Sequence, residues 1–384
     1  MNKIDSLIKK LCPSGVEYIH LKDISVMQRG TSITKKDLIK GRIPVISGGK
    51  EPAFYCNKSN RDGETITVAG SGASAGYVQY WDIPIFVNDA FSIKTKFDNI
   101  TKYIYYCLSN LQAKIYETKT GSGIPHVNIS DIENFYIPLP SIEIQQKIAE
   151  ILSTQDKLIK LKQKLVDQKK QQKKWLMQNL LTGKIRLKGF EGEWKKVKLG
   201  EVCEINRGGS PRPINKYITT DDNGTNWIKI GDADLDGKYI TSTKEKIIPE
   251  GIKKSRYVYS GDFLLSNSMS YGRPYILKID GCIHDGWLVI GKYSKNFILD
   301  YFYYSLCIDS VQKQYDILSA GSGVQNLNKD LVSQVMVKIP SIEEQTAIAK
   351  ILSAQDKEIE LLEKRLEQEN LKKKALMRLM LPKK

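Results

Sequence analysis

The sequence is poor in the residues that carry out chemistry. It has three histidines, His20, His126 and His284, and none has a spaced partner for a metal site or a nucleophile–base–acid triad. Its six cysteines, at 12, 56, 107, 203, 282 and 307, include no Cys-x-x-Cys. Scattered thiols without a secretory signal are expected to be reduced and cytosolic. No apolar run approaches the ~20 residues of a membrane span, and no apolar core of ~7 residues follows the first charges as in a signal peptide. A cytoplasmic location is expected. The GxxxxGK[ST] phosphate loop is missing, as is the Asn/Asp-Pro-Pro-aromatic tetrapeptide of amino-methyltransferases. Gly70, Gly72 and Gly76 form GxGxxxG, one residue too long for a dinucleotide fingerprint, and read as an ordinary loop. Glu193-Trp194-Lys195 fits the ExK of nucleases, but no acid on a preceding strand completes it. These absences argue against a self-contained enzyme.

Acidic residues are also in short supply. Against 59 Lys and Arg stand 43 Asp and Glu, giving a net charge of +16 and a pI near 9.3. That imbalance points to a polyanionic partner, nucleic acid first, with a merely solvated basic surface as the plainer alternative.

What the sequence does have is a duplication. Residues 140–181 and 340–381 align without a gap, with 22 of 42 positions identical. The period is too long for a solenoid, so a domain-sized segment precedes each copy. Both copies predict long helices. Ser141 and Ser341 follow prolines as N-caps, and Glu143 and Glu343 favour the first turn. Apolar residues recur at alternating steps of three and four, broken by Gln155 and Gln355, a pattern suited to a two-helix seam. Gly183 is a stop for the first helix and Pro382 for the second. About 40 residues at ~1.5 Å each make a rod of roughly 60 Å.

The predicted organisation is α+β: 1–139, an N-terminal helix and a first mixed α/β domain; 140–183, the first long helix; 184–339, a second mixed α/β domain; 340–384, the second long helix. The two helices are expected to pair as an antiparallel coiled coil in a pseudo-two-fold tandem repeat. Residues 1–12 predict a short amphipathic helix, either docked locally or closing the molecule into a ring near the far end of the second rod. In the first domain, Gly- and Asn-punctuated β-rich runs precede a helix over 101–117. Its tyrosines 105 and 106, like 303 and 304 in the second domain, read as core. Framework positions recur at an offset of 178 near the domain starts and 200 near their ends: Arg29-Gly30 falls on Arg207-Gly208, and Gly121-Ser122-Gly123 on Gly321-Ser322-Gly323. His284-Asp285 aligns with Asn88-Asp89 and reads as a structural turn rather than a base. The loops between these positions differ in length and chemistry.

Two copies that share a scaffold but not their loops would bind two different things with one geometry. Loop residues suited to phosphates or base edges are Arg29, Thr31, Ser32, Lys35, Lys36, Lys50, Ser71, Ser74, Tyr77 and Asn88 in the first domain. In the second they are Arg207, Ser210, Arg212, Asn215, Lys216, Lys229, Asn267, Ser270, Tyr271 and Arg273. Arg suits guanine and Asn adenine, while Lys and Ser more often hold phosphates; each alone is also ordinary surface. Residues 157–174 hold eight lysines and one acid, whereas 357–374 hold six basic and five acidic residues. Antiparallel packing sets the glutamates of one rod against the lysines of the other, which chooses register more than it adds energy. A rod that fixes the separation of two DNA-reading domains would select a bipartite, non-palindromic target, since contacts on one face of DNA recur every ~34 Å.

The residues also carry a resemblance. The Pro-Ser-Ile-Glu-x-Gln helix openings, the Ile-Leu-Ser-x-Gln-Asp-Lys segments at 151–157 and 351–357, WLMQNLLTGKIRL at 175–187 and CPSGVEYIHL near the start resemble the specificity (S) subunit of type I restriction-modification systems. So does the order of target-recognition domain, helix, target-recognition domain, helix. The resemblance covers essentially the whole chain, departing where LMLPKK replaces a second LLTGKIRL. It implies a subunit with no catalysis of its own, partnered by double-stranded DNA, two methyltransferase subunits and restriction subunits. These partners would hold S-adenosylmethionine for adenine N6 methylation, and ATP and Mg for restriction. Outward rod residues Gln145, Gln155, Asp156, Gln345, Gln355 and Asp356 are candidates for partner contact, with a buried hydrogen-bonding role for the Gln-Asp pairs as the alternative. Two other classes stay open: a stand-alone nuclease or modification enzyme, and a protein-only coiled-coil scaffold.

Overall fold

The computed structural model describes residues 15–33, 39–96, 98–235, 237–267, 272–320 and 326–381. The expected N-terminal helix, the 321–323 glycine loop and Pro382 lie outside these residues. The chain divides into two compact units, one formed by 1–164 with 363–384, the other by 165–362. Each long helix therefore contributes to both units.

The first unit opens on two strands, Glu17–His20 and Ser25–Arg29, separated by one helical turn, Leu21–Ile24. The interruption follows from burial: Leu21 and Ile24 face inward while Lys22 and Asp23 are exposed. Glu17–His20 pairs antiparallel with Tyr136–Leu139, which leads into the first long helix. Ser25–Arg29 starts a four-stranded antiparallel sheet that continues through Ala90–Thr95, Thr65–Ala69 and Val78–Trp81. A smaller sheet sets Ile43–Ile46 between Phe54–Cys56 and Phe86–Val87. The helix expected over 101–117 is two, Thr101–Asn110 and Gln112–Glu117, broken at Leu111.

The second unit repeats this plan. Lys195–Lys198 pairs antiparallel with Met336–Ile339 ahead of the second long helix. One five-stranded sheet runs Glu204–Arg207, Trp287–Gly291, Phe263–Ser266, Pro274–Leu277, Tyr239–Ile240. The other runs Ile218–Thr219, Glu245–Ile247, Thr225–Ile228, Gly281–Ile283, Arg256–Val258. Leu299–Cys307 and Asp309–Ala320 are the counterpart helices.

The long helices are Ile142–Leu180 and Ile342–Met380, 39 residues each, beginning where the Pro-Ser signal places them. The backbone N–H groups of Ile144 and Gln145 donate to the Ser141 carbonyl, and that of Glu344 to Ser341 Oγ at 3.3 Å. Hydrogen bonds from the helix-start backbone, then from Ser141 and Ser341, hold the Glu143 and Glu343 carboxyls below their usual range. After Leu180 the chain turns through Gly183 at φ +70°.

Each unit's core takes the start of one long helix and the end of the other. Ile148, Ala149 and Leu152 join Met377, Met380 and Leu381 in the first unit; Ile348, Ala349 and Leu352 join Leu180 and Leu181 in the second. Buried side chains of this size stabilise by ~1.5–3 kcal/mol each, so both helix ends are integral to their units. Opposite charges meet across the antiparallel helices within each unit, as expected for that packing. Lys162 meets Glu369 at 2.8 Å in the first unit and Lys169 meets Glu358 at 2.7 Å in the second. No described helix is long and apolar enough to cross a membrane. The five described cysteines are free thiols, and burial pushes those of Cys107, Cys203 and Cys307 up to about 12.

Candidate nucleic-acid interface

In the first unit, loops from several elements converge beyond the end of the strand Ser25–Arg29. The Gly30 N–H donates to the Ala90 carbonyl at 2.8 Å and Thr31 N–H to that of Val87 at 2.9 Å, which turns the chain out of the sheet. Gly30 is required by close approach, since a Cβ there would lie 2.1 Å from the Asn88 carbonyl oxygen. Arg29 is exposed, its Nη2 at 3.4 Å from Asn128 Oδ1. Around it, Asn88 Nδ2 donates to Ser47 Oγ at 3.0 Å and its Oδ1 accepts from the Ile33 N–H at 3.0 Å. Ser71 Oγ donates to the Asp89 carboxylate, and the Ser71 backbone bridges to His126. Lys50 is exposed, with its Nζ 5.3 Å from the centre of the Tyr77 ring, and the Ser74 carbonyl accepts from the Tyr77 N–H. Arg29, Lys50, Ser71, Ser74 and Tyr77 thus belong to one loop cluster. Asn88 is its internal brace, with both ends of its amide engaged. Lys35 and Lys36 lie outside the described residues.

The second unit builds the same turn from different side chains. Arg207 ends its strand, Gly208 N–H donates to the Trp287 carbonyl at 2.9 Å, and a Cβ on Gly208 would lie 2.1 Å from the His284 carbonyl oxygen. The alignment of Asn88-Asp89 with His284-Asp285 is therefore a structural equivalence. Asp285 is the hub. Its carboxylate accepts from Ser210 Oγ at 2.8 Å and faces Arg212 Nη2 at 3.5 Å. Its carbonyl accepts from Arg207 Nε at 3.1 Å and Asn267 Nδ2 at 2.9 Å. The Ser210 hydrogen bond, with help from the backbone and from Arg207, holds this carboxyl below the usual range against the opposing effect of burial. A cleft of about 1000 Å³ opens here, lined by Ser210, Arg212, Trp227, Lys229, His284 and Asp285 among others.

Several sequence-chosen residues are redirected by these contacts. Asn267 was expected in the reading set but is 3 % exposed, with its amide on the Asp285 carbonyl, and supports the hub instead. Lys229 lines the cleft while paired with Glu245 at 2.6 Å. Arg273 donates to the Leu235 carbonyl. Asn215 and Lys216 are exposed. Ser270 and Tyr271 lie outside the described residues. Asp285 was read only as part of a turn; its alignment with Asp89 was the available signal, since both carboxylates bind a serine of the neighbouring loop.

Of the helix residues expected to face outward, Gln145, Gln155 and Gln345 are buried, whereas Asp156, Gln355 and Asp356 are partly exposed. Gln145 and Gln345 are 2 % and 0 % exposed. Gln145 Oε1 accepts from the Ile100 N–H and its Nε2 donates to the Pro140 carbonyl; Gln345 does the same with Ile298 and Pro340. Gln155 donates to the Glu369 carbonyl and carboxylate, and Gln355 to Glu358 at 3.2 Å. Asp156 accepts from Tyr106 Oη at 2.8 Å and from Lys373 Nζ at 2.6 Å. Asp356 accepts from Tyr304 Oη at 2.5 Å and pairs with Lys173. Gln145, Gln345, Asp156 and Asp356 thus tie each α/β body to its helix, Gln155 links the two helices within the first unit, and Gln355 bonds within its own helix.

Two α+β units built on one plan, each presenting a dissimilar polar loop cluster, define a tandem recognition protein. The profile of the type I restriction modification DNA specificity domain matches residues 13–170 and again 191–370, and the chain belongs to that family. It is 30% identical over 302 residues to the type I restriction enzyme MjaVIII specificity subunit of Methanocaldococcus jannaschii, covering 73% of this chain and 69% of that one. A putative type I restriction enzyme MjaX specificity subunit of the same organism is 29% identical over 297 residues, 73% of this chain and 67% of the relative. Among solved structures, the type I restriction-modification S subunit from M. genitalium shares the fold, with a TM-score of 0.65 at 18% identity over 96% of both chains.

Proposed function

We propose that each unit reads one short block of duplex DNA, so that the chain specifies a bipartite, asymmetric site. One observation carries this reading. The turns at Arg29-Gly30 and Arg207-Gly208 have one backbone construction but are surrounded by different chemistry, Lys50, Ser71 and Tyr77 in one unit and Ser210, Arg212 and Asp285 in the other. Shared geometry delivers the two turns to DNA in one manner, and unlike side chains select unlike bases. The chain performs no bond chemistry in this reading. Methyltransferase partner subunits holding S-adenosylmethionine methylate adenine N6, and restriction subunits using ATP and Mg act on unmodified DNA. Family membership supports that division of labour.

The test is to co-express the chain with its cognate methyltransferase subunit and map N6-methyladenine across the host DNA. Two short fixed blocks around an unspecified gap of constant length are expected. A single contiguous motif would remove the two-unit reading. Methylation unchanged by the presence of this chain would remove the specificity role altogether.

A further inference from the structure

In both units an arginine that is not part of the reading set reaches the same backbone atom. Arg61 Nη2 donates to the carbonyl of Arg29 at 2.9 Å, while its Nε donates to Ser92 Oγ at 2.7 Å and its Nη1 to the Asn60 carbonyl at 2.6 Å. Arg256 Nε donates to the carbonyl of Arg207 at 2.6 Å. Each acceptor belongs to the peptide that joins the exposed arginine to the close-approach glycine. The two donors are not aligned positions. Arg61 stands four residues before the strand Thr65–Ala69, and Arg256 seven before Phe263–Ser266. Their backbones are also placed differently, Arg61 bridged to Ile85 and Arg256 paired with Ile283. Loops of unlike length and register that deliver a guanidinium to one equivalent carbonyl indicate that this contact matters more than the loops carrying it.

We propose that Arg61 and Arg256 are positioning residues for base recognition, each fixing the peptide after Arg29 or Arg207 and so the direction in which that side chain leaves the sheet. The inference rests on the reading of the two units as DNA-block readers. The physical argument is preorganisation. The turn carries a glycine, whose backbone has the widest freedom of any residue. A long arginine above it loses discrimination unless its Cα–Cβ direction is held before DNA arrives. In the first unit the clamp is itself fixed at two further points, Ser92 Oγ and the Asn60 carbonyl. In the second, Arg256 lies on an edge strand and is exposed.

The experiment is the methylation map of the complete complex with Arg61→Ala and Arg256→Ala, each beside its Lys variant, which keeps the charge and changes the donor geometry. Each Ala variant is expected to relax one block only, a different block for the two positions. Methylation at sites with one substitution in that block should rise about tenfold relative to the other block, the discrimination a single well-placed side chain supplies. The Lys variants should relax the same blocks, and they carry the test should an Ala variant fail to fold. Unaltered stringency in every variant that still methylates would overturn the proposal. So would an even loss across both blocks, which is the signature of a phosphate contact or a general fold defect. A wild-type map without a split motif would instead remove the underlying reading, so the two failures are distinguishable.

Discussion

His284 and Asn88 occupy equivalent turns, yet only one of them titrates. Both imidazole nitrogens of His284 face backbone N–H groups, Nδ1 that of Gly286 at 3.0 Å and Nε2 that of Ile230 at 3.1 Å. Trp227 and Trp287 lie close by, each with its ring centre 6.4 Å from that of the imidazole. The neutral ring can accept from only one of these donors, and an imidazolium, with an N–H on each nitrogen, could accept from neither. Burial lowers the pKa of His284 from the ordinary 6.5; Asp285 and Asp232 oppose the shift and Lys229 adds to it. Well above pH 6.5 the ring is neutral in both folded and unfolded chains and contributes nothing. As the pH falls below that value the unfolded chain takes up the proton first, so stability is lost until the folded pKa has been passed. Hydrogen exchange at about pH 7.5 and about pH 5.5 should therefore show the strand Trp287–Gly291 losing protection on acidification while Ala90–Thr95 does not. His284→Asn should remove the difference, and equal acid sensitivity with and without the imidazole would contradict the assignment.

At the scale of elements, the long helices and their pairing were legible, and the α/β segments that cover their first turns were not. Apolar spacing, Pro-Ser starts and acidic first turns are local signals, and both helices begin where those signals lie. Gln145 and Gln345 misled because a polar residue on a helix reads as outward, whereas the segments Asn99–Ile100 and Asn296–Ile298 fold over them. That cover comes from residues nearly 50 positions away, beyond any periodicity. The most informative product of the duplication is a pair of cross-helix triads. Tyr106, Asp156 and Lys373 in the first unit match Tyr304, Asp356 and Lys173 in the second. The lysine always comes from the helix that arrives from the other repeat. Burial, then the hydrogen bond to the aspartate, raises the pKa of both tyrosines. Asp156→Ala strands a tyrosine hydroxyl and a lysine together and should cost the first unit ~1–3 kcal/mol. Exchange protection should fall in Thr101–Asn110 and not in Leu299–Cys307, with Asp356→Ala giving the converse. A uniform loss in both helices would show that the triads are not local to their units.

For the molecule as a whole, charge and duplication were both readable from the sequence, and they answer different questions. The excess of 16 positive charges suits a polyanionic partner; in the proposed reading the unlike loop clusters bear on which sequence is chosen. Convergence of loops 30–33, 47–50, 70–77 and 88–89 could not be read from the sequence, because hydrogen bonds such as Asn88 to Ser47 link positions with no common spacing. Several lysines counted toward the net charge are already neutralised within the units, among them Lys162, Lys169, Lys173, Lys229 and Lys373. Lys50 and Lys216 are different, exposed on the loops of the two units. If they hold phosphates, each contact releases counterions, and the logarithm of the binding constant falls with the logarithm of salt by ~0.9 per contact. Lys50→Gln and Lys216→Gln should each shallow the slope measured by fluorescence anisotropy by about one contact's worth. They should weaken binding to cognate and unrelated duplexes alike and leave the methylated motif unchanged. A changed motif would make the lysine a base reader, and an unchanged slope would place it off the DNA path. Together with the arginine variants, this pair separates the term that holds DNA from the term that chooses it.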